Sequence, residues 1–214
     1  IEYLRKWVQF TGEKDPKVFL YMANAYYQKK EFAQIIPFAE AALEYGEPDK
    51  NVYTLMMASY YERKMYSDAI GVLEEGLNKH PEVTQWWPQL AQFYMLEENL
   101  AKALQTIEVA YLAGYLDKES QFKMLVQLYD NEGIPYKAAK TMEKHVEAGD
   151  IEQTAKNFAT IANSYHRAKT LDKAVEWYLR AAEAAEDADN KGEYYRKRGN
   201  IMLLNEQYIA AAEP

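Results

Sequence analysis

Residues 50–83 read KNVYTLMMASYYERKMYSDAIGVLEEGLNKHPEV. Apolar residues recur at helical spacing on both sides of a short turn at Arg63-Lys64-Met65: Tyr53, Met57 and Tyr60 before it, Ala69, Leu73 and Gly76 after it. The segment is therefore expected to fold as two antiparallel helices, A and B, and its pattern returns along the whole chain. With Lys50 as position 1, position 4 carries the series Phe19, Tyr53, Trp87, Phe122, Phe158 and Tyr195, separated by 34, 34, 35, 36 and 37 residues. Position 11 carries Tyr26, Tyr60, Tyr94, Tyr129, Tyr165 and Met202, and position 20 carries Ile35, Ala69, Ala103, Ala138, Ala174 and Ala211. A period near 34 with these landmarks is the signature of stacked helical hairpins.

The repeats then begin at Pro16, Lys50, Thr84, Glu119, Ala155 and Gly192, and residues 1–214 form a single array. Small residues at positions 8, 20 and 27 let the helices of a hairpin approach closely, while the position 4 aromatics fill the space to the next hairpin. Gly133-Ile134-Pro135, Pro48, Pro81 and Gly149-Asp150 supply the stop and start signals between helices. Ile1, Leu4 and Trp7 match a helix B whose helix A is missing, and the last helix B stops after Ala212, so the reading takes the chain as part of a longer array. Uncapped ends of such an array expose apolar surface and invite self-association.

Composition narrows the function classes. With 25 Lys and Arg against 33 Asp and Glu, the formal net charge of -8 opposes a phosphate-binding surface, so nucleic acid is not an expected partner. The absence of cysteine removes disulfides, thiolate metal sites and a thiol nucleophile. No stretch approaches the roughly 18 consecutive apolar residues of a spanning helix. His80, His145 and His166 lack a second metal-type residue at helical zinc spacing, and His145 stands at a packing position, which marks it as structural. There is no Gly-rich phosphate loop and no nucleophile elbow. The carboxylates Glu183, Glu186, Asp187 and Asp189 lack calcium-loop spacing and read as a solvated loop. No catalytic residue, cofactor or metal site is expected, and a non-enzymatic binding protein is.

The candidate working surface is the helix A stripe at positions 2, 5, 9 and 12, beside the packing stripe. Position 9 carries Asn24, Ala58, Gln92, Gln127, Asn163 and Asn200, an amide in five of six repeats. An amide offers both a donor and an acceptor, which suits the backbone of an extended peptide. Over the groove positions 2, 5, 6, 9, 12 and 13, six cations, Lys17, Lys123, Lys156, Arg167, Arg196 and Lys197, stand against three anions, Glu62, Asp130 and Glu193, so the net charge there is 6 − 3 = +3. All the cations but Lys17 lie in the last three repeats, where His166 adjoins Arg167, and they would steer an acidic peptide or a C-terminal carboxylate there. The first three repeats offer a softer lining, including Tyr21, Tyr27, Tyr61 and Met95. The tyrosines and the methionine fit peptide contact and simple packing alike.

The periodicity and its landmarks resemble the tetratricopeptide repeat (TPR) family, which implies an all-α, right-handed superhelical solenoid with helix A lining a concave, peptide-binding groove. Against the carboxylate clamp of chaperone-binding members, Lys123 matches the first place and Lys197 keeps only the charge of the last. Gln127, Thr160 and Glu193 depart from it. The stretches Tyr111–Ser120, Gly133–Lys140 and Thr154–Asn157 are similar to the TPR proteins encoded beside TonB, ExbB and ExbD in gammaproteobacteria. That resemblance implies a periplasmic accessory of a TonB-type energy-transducing complex with those components as partners. A general peptide-binding cochaperone or envelope-assembly module, and a cytoplasmic location, stay open as alternatives.

Overall fold

Two helix axes can approach closely only where the residue between them is small, and the repeated alanines mark where that happens. In the computed structural model, which describes residues 1–204, position 20 residues Ile35, Ala69, Ala103, Ala138 and Ala174 are all fully buried. Ala211 and Ala212 lie outside the described residues.

The described residues form twelve α-helices, with no strand among them: α1 (Glu2–Thr11), α2 (Pro16–Gln28), α3 (Ile35–Tyr45), α4 (Lys50–Glu62), α5 (Tyr66–Lys79), α6 (Trp86–Leu96), α7 (Leu100–Leu112), α8 (Glu119–Asn131), α9 (Pro135–Ala148), α10 (Ala155–Arg167), α11 (Leu171–Ala184) and α12 (Ala188–Leu204). A 3-10 turn, Phe32–Gln34, precedes α3. Helix A begins at Pro16, Lys50, Glu119 and Ala155, the repeat starts read from the sequence. It begins at Trp86 rather than Thr84 and at Ala188 rather than Gly192 in the third and sixth repeats. The earlier start of α12 has a local cause: the Asp187 carboxylate accepts from the Asn190 amide N–H at 2.7 Å, capping the helix within the acidic stretch.

The chain divides into two compact units, Ile1–Thr106 and Ile107 onward. In the first, α2 packs on α3, α3 on α4, α4 on α5 and α5 on α6. In the second, α8 packs on α9, α9 on α10, α10 on α11 and α11 on α12. Within each unit these helices therefore meet their neighbours in sequence, as stacked hairpins require. Helix α1 lays Ile1 and Val8 against the first core cluster and sets the Arg5 guanidinium over the rings of Tyr26 and Phe38, while Tyr3 and Phe10 face outward.

Position 4 follows the expected pattern except in the third and sixth repeats, and in the sixth Tyr195 is half-buried. Phe19, Tyr53, Phe122 and Phe158 are buried, but Trp87 is half-buried and its neighbour Trp86 fills the core. The reason is Gly76 of the preceding helix B: a Cβ there would lie 2.9 Å from the Trp86 ring, so the missing side chain is the space the indole occupies. At the equivalent position of the fourth repeat stands His145, buried and stacked on Phe122 with 3.9 Å between ring centroids. Its Nδ1 is 2.8 Å from Asp150 and its Nε2 3.0 Å from the Tyr111 hydroxyl, so both ring nitrogens are satisfied and the histidine is structural.

A second periodic feature joins neighbouring hairpins. The position 11 hydroxyls of Tyr94, Tyr129 and Tyr165 donate to Glu74, Glu108 and Glu143, all at position 25 of the preceding repeat. Glu40 holds that position before Tyr60 and raises the phenol pKa through its charge, after the larger contributions of burial and Asp68. Where position 11 becomes Met202, position 25 becomes Leu179. A position 19 lysine completes the group in three repeats: Lys102 and Lys137 lie over the rings of Tyr94 and Tyr129, Lys137 pairs with Glu108 at 2.8 Å, and Lys173 approaches Glu143 at 3.5 Å.

Every A-to-B turn in repeats 1 to 5 closes in the same way. Glu31, Met65, Asn99, Ile134 and Thr170 donate their backbone N–H to the carbonyl of the position 11 tyrosine, and the residue before each has positive φ. Only one of those residues is glycine, Gly133; the others are Lys30, Lys64, Glu98 and Lys169, with φ from 57° to 60°. An L-residue in this region costs roughly 1–2 kcal/mol, part of which glycine returns through its greater unfolded-state freedom. Lys64→Gly is expected to raise stability by about 0.5–1 kcal/mol, and Gly133→Ala, where an added Cβ meets nothing within 4 Å, to lower it by a similar amount. Urea unfolding of the two variants checks both signs.

Candidate functional site

Lys156, Thr160, Asn163 and Arg167 follow one another at i, i+4, i+7 and i+11 along α10 and so share one stripe of that helix. The matching stripe of α8 carries Lys123, Gln127 and Asp130. Between these two helices lies an open cavity of about 430 Å³ whose lining includes Lys123, Gln127, Lys156, Thr160 and Arg167, with Val126 and Met142 as its apolar floor. Four of the residues expected at a binding groove, Lys123, Gln127, Lys156 and Arg167, are thus brought together in the second compact unit.

Their charges are not equally available. Lys123 pairs with Glu119 one turn earlier at 2.5 Å, and that hydrogen bond holds the Glu119 carboxyl below the ordinary range. Arg167 reaches Asp130 on α8, with Nη1 at 3.1 Å from Oδ1 and Nη2 donating to the Asp130 carbonyl at 2.7 Å. Lys156 is exposed and makes no ion pair among the described residues. The cavity therefore has one tethered lysine, one free lysine and one clamped guanidinium. Lys156 and Arg167 stand 11 residues apart on one helix, about 16 Å along its axis, so the arrangement matches a segment bearing more than one anionic group.

The other expected residues fall elsewhere. Asn163 is exposed on the α10 stripe, and its Oδ1 accepts from the buried Tyr178 hydroxyl, which leaves its NH₂ to donate outward. Burial pushes the Tyr178 phenol up to about 12, with the charge of Glu193 adding to it. His166 is half-buried beside Arg167. On α12, Arg196 and Asn200 are exposed, and Lys197 pairs with Glu193 at 2.6 Å, so Glu193 is the lysine's tether. None of these five lines the α8–α10 cavity.

Within the first compact unit, Asn24 and Gln92 are exposed on α2 and α6. Tyr27 meets Phe32 edge-on, and Tyr61 packs against Tyr66 and Phe93 with centroids 6.3 and 5.8 Å away. These tyrosines combine partial exposure with real packing. A second polar cavity of about 430 Å³ lies between α4 and α6, lined in part by Lys50, Asn51, Thr54 and Gln85.

Sequence reasoning did not find Met142 and Val126 as the floor, because both belong to the packing pattern and only the helix stacking opens a gap above them. It also counted Asp130 as a free anion. The partner of Asp130 is 37 residues away, and the pairing of position 12 with position 13 of the next repeat is visible only once two helix A segments are placed side by side. Among the described residues no group of three or more His, Asp or Glu side chains is disposed to hold a metal ion, and no helix is long and apolar enough to cross a membrane.

Solved structures place the fold. The chain matches YrrB, described as a TPR protein with an unusual peptide-binding site, at a TM-score of 0.66 and 18% identity over 89% of this chain and 96% of that one. It matches the C-terminal part of a TPR repeat-containing protein from Cytophaga hutchinsonii at 0.66 and 14% identity, over 98% and 84% of the two chains. MamA from AMB-1 follows at 0.64 and 17% identity, over 81% and 93%. The fold is that of the TPR solenoids. No protein-family model matches the chain, and no curated protein does.

Proposed function

We propose that the chain is a non-enzymatic interaction scaffold that holds an extended, acidic segment of a partner protein against the helix A face of its second compact unit. The observation that carries this reading is the α8–α10 cavity, where Lys123, Lys156 and Arg167 converge with the amide of Gln127 and the hydroxyl of Thr160 on a chain whose net charge is -8. Cations gathered against the overall charge steer an anionic partner to one place and suppress cationic ones. The amides Gln127, Asn163 and Asn200 add directional contacts for its backbone, and the YrrB fold, described with a peptide-binding site, supports peptides as the ligand class. Asn24, Tyr27, Tyr61 and Gln92 are assigned to partner contact in the first compact unit.

The finer assignment is a periplasmic accessory of a TonB-type system, with TonB, ExbB or ExbD components as partners. Its support is the resemblance carried by Tyr111–Ser120, Gly133–Lys140 and Thr154–Asn157.

Lys123→Ala, Lys156→Ala and Arg167→Ala combined are expected to weaken binding of an acidic decapeptide by about 100-fold in fluorescence anisotropy, since charge-assisted hydrogen bonds contribute roughly 1.5–3 kcal/mol each and some are recovered by water. Unchanged affinity would remove the cavity from the reading. Affinity capture from a gammaproteobacterial envelope extract, with the wild-type chain and the triple variant as baits, separates the two levels. TonB-complex proteins retained only by the wild type support both, and other acidic proteins retained in their place support the scaffold alone.

A further inference from the structure

We infer that Asp130 is a positioning residue, which holds the Arg167 guanidinium as a fixed forked donor for a carboxylate of the bound segment; the inference rests on the acidic-partner reading above. A carboxylate in an anion site would ordinarily be its opponent. Asp130 also lines the cavity, but its carboxylate is drawn back into the wall, with Oδ1 buried. The Asp130 side chain is 18% exposed while that of Arg167 is 52% exposed, so the acid is withdrawn and the base presented. Three contacts fix the arrangement. The fully buried Ser164 hydroxyl donates to Asp130 Oδ2 at 2.8 Å, Oδ1 lies 3.1 Å from Arg167 Nη1, and the Asp130 carbonyl accepts from Nη2 at 2.7 Å.

A guanidinium carries five N–H donors in a planar fork. The hydrogen bond from Nη2 engages one donor and Nη1 is held beside Oδ1 by charge alone, which leaves the other donors for a ligand from a group that no longer has to be immobilised on binding. Preorganisation of this kind lowers the ordering cost of association. Free Lys156 acts as a mobile point charge at the other end of the cavity, so the two cations differ in how they recognise an anion. Arg167 takes a carboxylate in a defined orientation, and Lys156 takes one loosely.

Charge bookkeeping alone predicts that removing the Asp130 charge strengthens binding of an acidic ligand. Positioning predicts the reverse. The probe is a fluorescein-labelled decapeptide with two glutamates five residues apart in a Gly/Ser background, made with an amidated and with a free C-terminus so that side-chain and terminal carboxylates are told apart. Asp130→Asn is expected to weaken its binding about tenfold, equivalent to roughly 1.4 kcal/mol. Ser164→Ala leaves every charge in place and is expected to weaken it about threefold. Arg167→Lys keeps the charge without the fork, and in that background Asp130→Asn is expected to change affinity by less than twofold. Equal or tighter binding by Asp130→Asn, or no effect of Ser164→Ala, overturns the inference. If the wild-type chain ignores both peptides, the acidic-partner reading fails. ¹⁵N relaxation of the Arg167 side chain then still decides the positioning role. An ordered guanidinium that becomes mobile in Asp130→Asn supports it, and a guanidinium already mobile in the wild type overturns it.

Discussion

Glu143→Ala is expected to lower stability to urea by about 4 kcal/mol, the range found when one partner of a buried ionic group is removed. Glu143 is buried on α9 and gathers donors from three helices: Lys140 at 2.8 Å, the Tyr165 hydroxyl, Trp177 Nε1 at 3.3 Å and Lys173 at 3.5 Å. Lys140 and Lys173 are partly exposed and can turn to water, but Tyr165 and Trp177 are buried and would keep orphaned donors. Glu143→Gln retains an acceptor and loses only the charge, so it should cost about half as much.

The same site sets a pH dependence. Burial pushes the Glu143 carboxyl up, but the hydrogen bonds from Lys140 and Tyr165 and the charges of Lys140 and Lys173 outweigh it, so the carboxyl lies below its ordinary value of 4.5. A carboxyl whose folded pKa is depressed contributes stability that is full above the unfolded pKa and is lost as pH falls through the folded one. Urea midpoints of the wild type should fall as pH drops below about 4.5, and those of Glu143→Gln should fall less steeply. Parallel curves would show that Glu143 does not carry the acid response. Burial and the bond to the same carboxylate together raise the Tyr165 phenol, so Tyr165 stays protonated and a donor throughout this window.

Gly76→Leu is expected to destabilise by about 3 kcal/mol, the upper end of ordinary overpacking. Glycine in the last turn of α5 is a weak helix former, and on propensity alone the change would be favourable by several tenths of a kcal/mol. Packing decides otherwise. A Cβ would lie 2.9 Å from the Trp86 ring and 3.3 Å from Tyr53, both buried, and Trp86 is further held by edge-on contacts with Tyr53 and His80. His80 is anchored at 3.0 Å to the Pro48 carbonyl, and Tyr53 donates to Glu75, so neither ring can yield freely. Burial pushes the Tyr53 phenol up to about 12, with the Glu75 bond as the next cause, which keeps this donor intact at any working pH. Trp86→Ala should relieve the clash, so the double variant is expected to be more stable than the sum of the single losses predicts. Strict additivity in urea unfolding would show that the glycine and the indole do not share the space.

The repeat period, the helical hairpins and the register of the buried faces were all legible in the amino-acid order. Position 20 could be read as the close approach of helices, and the turns could be placed at Gly133-Ile134-Pro135 and Gly149. This information is local and repeated, so each hairpin restates it and chance cannot imitate it several times over. The exposure of Asn24, Gln92, Gln127, Asn163 and Asn200 followed from the same periodicity.

Other features depended on partners 10 to 37 residues away, which no short pattern displays. Trp86 and not Trp87 enters the core because of a glycine on the preceding helix. The tyrosine-to-glutamate pairs had a visible signature, the joint change to Met202 and Leu179, but its meaning required knowing which helices touch. Above all, six cations on one stripe looked equivalent by charge. The tertiary structure ties Lys123 and Lys197 to glutamates one turn away, clamps Arg167 on Asp130 and leaves Lys156 free, because whether a charge is available is settled by which oxygen its rotamer can reach.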